Sequence, residues 1–216
     1  MTTATTAAAE APPRTGKLTD TVTAARSYAL LLLIAGAVGL AASITLTLEK
    51  IRLLEDPSYV PSCNINPIIS CGSVMRTSQA SAFGFPNSLI GVAGFAVVVT
   101  VGVVALTGAR LPRWFWLGLQ AGTLFGVCFI TWLMDQTLYH IGAVCPYCIV
   151  VWTATIPLFW YTLLHNLRHQ VIPTPAPWRP AIDGAAGYHW VVPALWYLTI
   201  VMLILNRFWY YWHTLL

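Results

Sequence analysis

Tyr28-Ala29-Leu30-Leu31-Leu32-Leu33-Ile34-Ala35-Gly36-Ala37-Val38-Gly39-Leu40-Ala41-Ala42-Ser43-Ile44-Thr45-Leu46-Thr47-Leu48 contains no charged residue. At about 1.5 Å per residue, a helix of this length crosses the roughly 30 Å hydrocarbon core of a bilayer. A cleaved signal peptide is the competing reading, because Ala41-Ala42-Ser43 offers small residues. Signal h-regions stop near fifteen residues, however, and this run is longer.

Reading outward, the same composition recurs. Over 216 residues, 57% are hydrophobic and only 8% are charged. Soluble domains carry roughly a quarter charged residues, so this chain lacks the polar surface to face water. Further apolar runs occupy Ser88 to Leu106, Trp114 to Tyr139, Cys145 to about Leu164, and Val191 to Leu205. The last is shorter and ends in Phe208-Trp209-Tyr210-Tyr211-Trp212, the composition of an interfacial aromatic belt. The fold class is therefore an all-α integral membrane protein with five spans. Residues 1–25, rich in Thr, Ala and Pro, read as a disordered cytoplasmic tail. Residues 26–164 form the membrane core with an outer loop over 49–86. A linker over 165–190 and a fifth transmembrane helix with a short tail over 191–216 complete the chain.

The 11 Lys and Arg residues orient the spans. Arg14, Lys17, Arg26, Arg110, Arg113, Arg168 and Arg179 fall on one side of a five-span arrangement. Lys50, Arg52, Arg76 and Arg207 fall on the other, partly offset by Glu49, Glu55 and Asp56. The positive-inside bias places the N-terminus in the cytoplasm. The net charge of +4 is spread thinly and forms no stripe for nucleic acid. Cys63, Cys71, Cys145 and Cys148 then share the outer face, where disulfides persist. The expected location is the bacterial cytoplasmic (inner) membrane.

Cys145-Pro146-Tyr147-Cys148 opens the fourth span. Three residues apart on a helix is one face, so the two sulfurs can meet. Free N–H groups and the positive end of the helix dipole favour a thiolate there. Pro146 suits a first turn, having no N–H to satisfy. Cys63 and Cys71 lie in the outer loop, where a disulfide is expected to face soluble partners. A zinc site built from the two pairs is an alternative, although a spacing of eight is long for a zinc knuckle. A structural staple is another. An exposed pair beside a membrane-embedded C-x-x-C reads best as an electron shuttle working by thiol–disulfide exchange. The apolar surroundings of Cys148 point to a lipid-soluble quinone as acceptor.

Loop cysteines eight apart, then Phe83-Gly84-Phe85-Pro86-Asn87-Ser88 opening a span, then C-x-x-C opening a later one, resemble the vitamin K epoxide reductase family. The resemblance covers roughly Tyr28 to Leu164. It implies a four-helix bundle around a quinone, menaquinone or ubiquinone, with a transient Cys71–Cys145 cross-link. By the same resemblance Cys63 faces the thiol partner and Cys148 faces the quinone. Asn87 falls where the family places an asparagine on a quinone carbonyl, and Ser88 follows it; the alternative for Asn87 is a helix cap. Trp152 stands one turn beyond Cys148, where vertebrate members carry a tyrosine, and its indole offers one donor in a different place. Bacterial members often carry a fused thioredoxin-fold domain. About a dozen residues follow the fifth span here, so the implied partner is a separate DsbA-like thioredoxin-fold protein. The activity implied is reoxidation of that protein, in support of disulfide formation in exported proteins. Two alternatives stand beside it: a thiol-driven quinone or quinone-epoxide reductase, and a metal-binding membrane protein. Cys128 reads as a mid-span packing residue. Asp135 reads as an interfacial acid, and His140 as a candidate base near the C-x-x-C.

Overall fold

The computed structural model describes residues 20–213. A short strand β1, Thr21–Thr23, precedes the first long helix, α1, Arg26–Glu55. A five-residue helix α2, Cys71–Met75, sits in the loop that follows, and α3 spans Asn87–Leu106. Strand β2, Arg110–Pro112, leads into α4, Arg113–Asp135, which continues as a π-helical turn to Ile141. Helix α5 covers Pro146–Arg168, α6 covers Arg179–Gly187, α7 covers Val191–Arg207 and α8 covers Trp209–Trp212. Four of these helices are long and apolar enough to cross a membrane, and up to five if α6 and α7, bent by 65° with the turn before them, count as one span. The chain is a multi-pass membrane protein. Helices are the form an apolar chain takes in lipid, since each satisfies its own backbone polar groups.

Helix α1 is central, packing against α3 on one side and α5 on the other, while α4 packs on α5. The α1–α3 approach depends on absent side chains. A Cβ on Gly102 would lie 2.7 Å from the backbone nitrogen of Leu33, and one on Gly39 would strike the Phe95 ring at 2.4 Å. Small residues at such crossings let helix backbones come close. Helices α3 and α4 instead face each other across a cavity.

At the end of the bundle where α1 begins, polar groups are buried among themselves. The Tyr28 hydroxyl donates to Thr162 at 2.8 Å, and the Asn166 amide donates to Gln120 Oε1 at 3.2 Å. Trp116 donates to the carbonyl of Val22 at 3.3 Å, and Arg113 donates to the carbonyls of Gln170 and Val171. The Tyr28 and Trp116 rings flank His165, with centroids 4.8 and 4.4 Å away.

Two boundaries and one side chain differ from the sequence reading. Residues 1–19 of the expected tail, including Arg14 and Lys17, lie outside the described residues. Residues 21–23 are ordered, because β1 pairs antiparallel with β2, Val22 opposite Leu111. Helix α1 runs past Leu48 to Glu55, because its polar last turns find partners in the outer loop: Glu49 accepts from Tyr59 and Ser62, and Lys50 donates to Met75. Phe208, read as part of an interfacial belt, is fully buried and packs with Trp152 and Ile156. Arg207 fastens that end of α7 by donating to the carbonyl of Leu138 at 2.8 Å.

Candidate functional site

The site begins with a two-residue splice. Ile69 and Val144 form an isolated parallel bridge: Ser70 N–H donates to the Val144 carbonyl at 3.0 Å, and Val144 N–H to the Ile68 carbonyl at 2.7 Å. The loop before Cys71 is thus tied directly to the segment before Cys145. Asn66 Oδ1 shapes that loop by accepting from the N–H groups of Ile68 and Ile69. Asn64 Oδ1 accepts from Gly72 N–H at 2.9 Å and from the Ser70 hydroxyl at 3.1 Å. A Cβ on Gly72 would lie 2.9 Å from the Asn64 amide, which would have to shift and disturb the bonds it makes here.

This scaffold sets the sulfurs. Cys63 and Cys71 form a disulfide, and Cys145 Sγ lies 3.0 Å from Cys71 Sγ. Cys145 and Cys148 are free. Cys145 is the residue before the first turn of α5, and Pro146 occupies N1 as expected. A free cysteine sulfur thus touches a disulfide sulfur at the start of α5, the geometry that thiol–disulfide exchange needs.

One expectation about the loop pair is overturned. Cys63 is only 5% exposed and Cys71 is fully buried. Leu46 and Leu53 from α1, Met75 from α2 and Tyr59 from the loop pack over them, because α1 continues past the apolar run and the loop folds back against its last turns. The Cys63, Cys71 and Cys145 sulfurs all lie within 4.8 Å of one another, which as thiolates would also suit a soft metal. With two of them joined in a disulfide, that donor set is withdrawn.

Behind the sulfurs lies a cavity of about 560 Å³. Cys145, Cys148, Lys50, Asn87 and Ser88 stand among its lining, which extends along α3 and α4 to Trp114 and Phe115. Trp152 lines it and is 2% exposed. A Cβ on Gly94, Gly118 or Gly122 would meet nothing within 4 Å, so these glycines keep open a space that ordinary side chains would fill. A flat ring with a long apolar tail fits such a slot, which has the size of a ligand pocket and few polar groups.

Asn87 is more occupied than a dedicated ligand contact. Its Nδ2 donates to the Gln79 carbonyl at 2.7 Å and its Oδ1 accepts from Ala82 N–H at 3.0 Å. It ties the Ser78–Ser81 turn to the start of α3, and it makes no side-chain cap bond to α3. One amide hydrogen remains for the cavity. Thr47 gives its one hydroxyl hydrogen to the Ser43 carbonyl at 2.8 Å, so its 2.9 Å contact with Ser88 uses the Ser88 hydrogen. Cys128 is exposed on the outside of the bundle and does not pack in the core. His140 and Asp135 are both exposed and 3.7 Å apart, and neither lines the cavity.

The sequence reading missed Ser43, Thr47 and Lys50. All stand on α1 near Ser88 or the cavity, at helical spacings of three and four, and that polar stripe at the end of an apolar run was their signal.

A disulfide, a free cysteine sulfur in contact with it and a second thiol at an apolar cavity make this a thiol–disulfide oxidoreductase centre in a membrane protein. Residues 30–163 match the vitamin K epoxide reductase family, and the chain belongs to that family. A search of curated proteins finds no match to the chain.

Proposed function

We propose that this protein reoxidises a DsbA-like thioredoxin-fold protein on the outer face of a bacterial cytoplasmic membrane and passes the electrons to a quinone, menaquinone or ubiquinone. The contact between Cys145 and Cys71 at the mouth of the apolar cavity carries this reading.

The partner's thiolate attacks Cys63 and frees the Cys71 thiolate. For that attack the cover of Leu53, Tyr59 and Met75 must swing aside. The partner's second thiolate then attacks its own sulfur in the mixed disulfide and displaces Cys63, so the partner leaves as a disulfide and Cys63 and Cys71 remain as a dithiol. Cys71 then attacks Cys145 of a Cys145–Cys148 disulfide, and Cys148 leaves as the thiolate. Cys63 resolves the Cys71–Cys145 bond, regenerating the Cys63–Cys71 disulfide and leaving Cys145 and Cys148 reduced. That final arrangement is the one seen. The remaining Asn87 N–H and the Trp152 indole are the donors that would orient a quinone ring, with Ser88 beside them once it turns from Thr47, and the glycine-lined slot would take its tail. The bound quinone supplies a two-electron, two-proton acceptor.

The test is anaerobic mixing of purified protein with a reduced thioredoxin-fold partner and a short-chain quinone. Stoichiometric quinone reduction with partner oxidation is expected; partner oxidation that proceeds equally without quinone overturns the acceptor assignment. For orientation, an impermeant reagent should label a cysteine placed at Ser58 from outside the cell and not one at Arg110. The reverse pattern would put the thiols in the reducing compartment and end the oxidase reading.

A further inference from the structure

Nothing in the electron path above uses Lys50. It presents itself to the cavity from the same face of α1 as Ser43 and Leu46, at positions i+7, i and i+3 of that helix. Its ammonium donates to the carbonyl of Met75, the last residue of α2. That leaves two N–H groups. Among the described residues no carboxylate lies within ion-pair distance of it. The adjacent Glu49 is committed to Tyr59 and Ser62, and a second cation, Arg76, stands close enough to act on Lys50.

A cation at the edge of an apolar cavity inside a membrane protein is costly unless something opposes it. No fixed anion does so here. The groups that can become negative at this end of the cavity are the thiols Cys145 and Cys148 and whatever they reduce.

We propose that Lys50 is the charge-balancing residue of the step in which electrons leave Cys148 for the quinone. The proposal rests on the quinone reading above. In that step the Cys145 and Cys148 sulfurs lose two electrons and join as a disulfide. The quinone takes those two electrons and, in net terms, the two thiol protons. Lys50 opposes the negative charge while it moves and can lend a proton and recover it, so the residue ends unchanged. A fixed positive group already in place needs no reorganisation as charge develops, which is where such groups act most strongly.

The competing role is mechanical: Lys50 could simply hold the end of α2, and with it Cys71, through Met75. Two substitutions separate the roles. Lys50→Arg keeps the charge and a donor, whereas Lys50→Gln keeps only a neutral donor. Each protein is reduced with dithiothreitol, freed of reductant and mixed with a short-chain ubiquinone analogue. Single-turnover quinone reduction is followed by absorbance, quinone affinity by tryptophan fluorescence, and melting temperature separately. Cys71–Cys145 cross-linking is measured in a Cys63→Ser, Cys148→Ser background. Lys50→Gln should slow quinone reduction about 10²-fold, with affinity, melting temperature and cross-linking unchanged, and Lys50→Arg should restore most of the rate. A Lys50→Gln protein as fast as the parent overturns the proposal. So does equal loss in both variants accompanied by lost cross-linking, which would make Lys50 an anchor for α2. A parent protein that neither binds nor reduces the quinone overturns the quinone reading itself, and this inference with it.

Discussion

The two ends of the bundle bury polar groups in opposite ways. Where α1 begins, Tyr28 meets Thr162, Asn166 meets Gln120, and rings flank His165 in a closed cluster, in which Arg113 Nε, His165 Nε2 and Asn166 Oδ1 are buried without a partner among the described residues. At the thiol end, Lys50, Asn87, Ser88 and Cys148 border open volume instead. Closed polar clusters hold helices in register. Polar groups that line a cavity retain capacity for something that is not part of the chain. The comparison makes one end a fastener and the other a reaction chamber, and substitutions at the two ends should fail in different assays.

The largest effects belong to the sulfurs. Cys63→Ser or Cys148→Ser should abolish turnover with the protein partner. Dithiothreitol should restore some turnover to Cys63→Ser, since it can reduce the inner pair directly, and none to Cys148→Ser. The double variant Cys63→Ser, Cys148→Ser should trap a Cys71–Cys145 disulfide, readable by mass mapping, because those sulfurs already sit 3.0 Å apart. Two free thiols under oxidising conditions would mean that the splice between Ile69 and Val144 does not hold in solution, and the relay would have to be abandoned.

Next in size is the cavity. A leucine at Gly122 would occupy space that nothing now fills. Gly122→Leu should raise the quinone KM about tenfold or more, by the few kcal/mol that a misfit of this size costs, while Cys71–Cys145 cross-linking is retained. An unchanged KM would show that the acceptor does not use the α3–α4 slot. At the fastener end, Thr162→Val leaves the Tyr28 hydroxyl without its acceptor. A loss of about 1–2 kcal/mol in stability is expected, with thiol chemistry intact. Loss of turnover without loss of stability would blur the division between the two ends.

Much of this was legible in the sequence, for identifiable reasons. The spans announce themselves because lipid tolerates few charges, and C-x-x-C at a helix start is a local arrangement that needs no tertiary knowledge. The Phe83 to Ser88 stretch and the eight-residue cysteine spacing carried the family. What stayed hidden depended on contacts between distant segments. The extra turns of α1 form because Glu49 and Lys50 find partners in the outer loop. A polar loop reads as exposed, yet Leu53, Tyr59 and Met75 close over Cys63. The family resemblance makes Asn87 a quinone contact, yet both ends of its amide are bound to the 79–82 turn.

The smallest effect sharpens the contrast from the outside. Cys128 sits in mid-span between Phe125 and Phe129 in sequence, and its apolar setting suggests a core residue whose truncation would leave a hole. The structure turns it outward, exposed on the surface of α4 and away from both polar ends. Truncation at an exposed position removes little packing and opens no internal void, so the cost expected of a buried side chain does not apply. Cys128→Ala should therefore change stability by no more than about 0.5 kcal/mol and leave partner-driven quinone reduction unchanged. The measurement is a paired one: thermal unfolding in detergent, and turnover with the reduced partner. A loss of several kcal/mol would mean that another surface packs on this face of α4 in the membrane. Loss of turnover with stability retained would put a fifth sulfur in the electron path, and the division between a fastening end and a reacting end would no longer describe where the chemistry is.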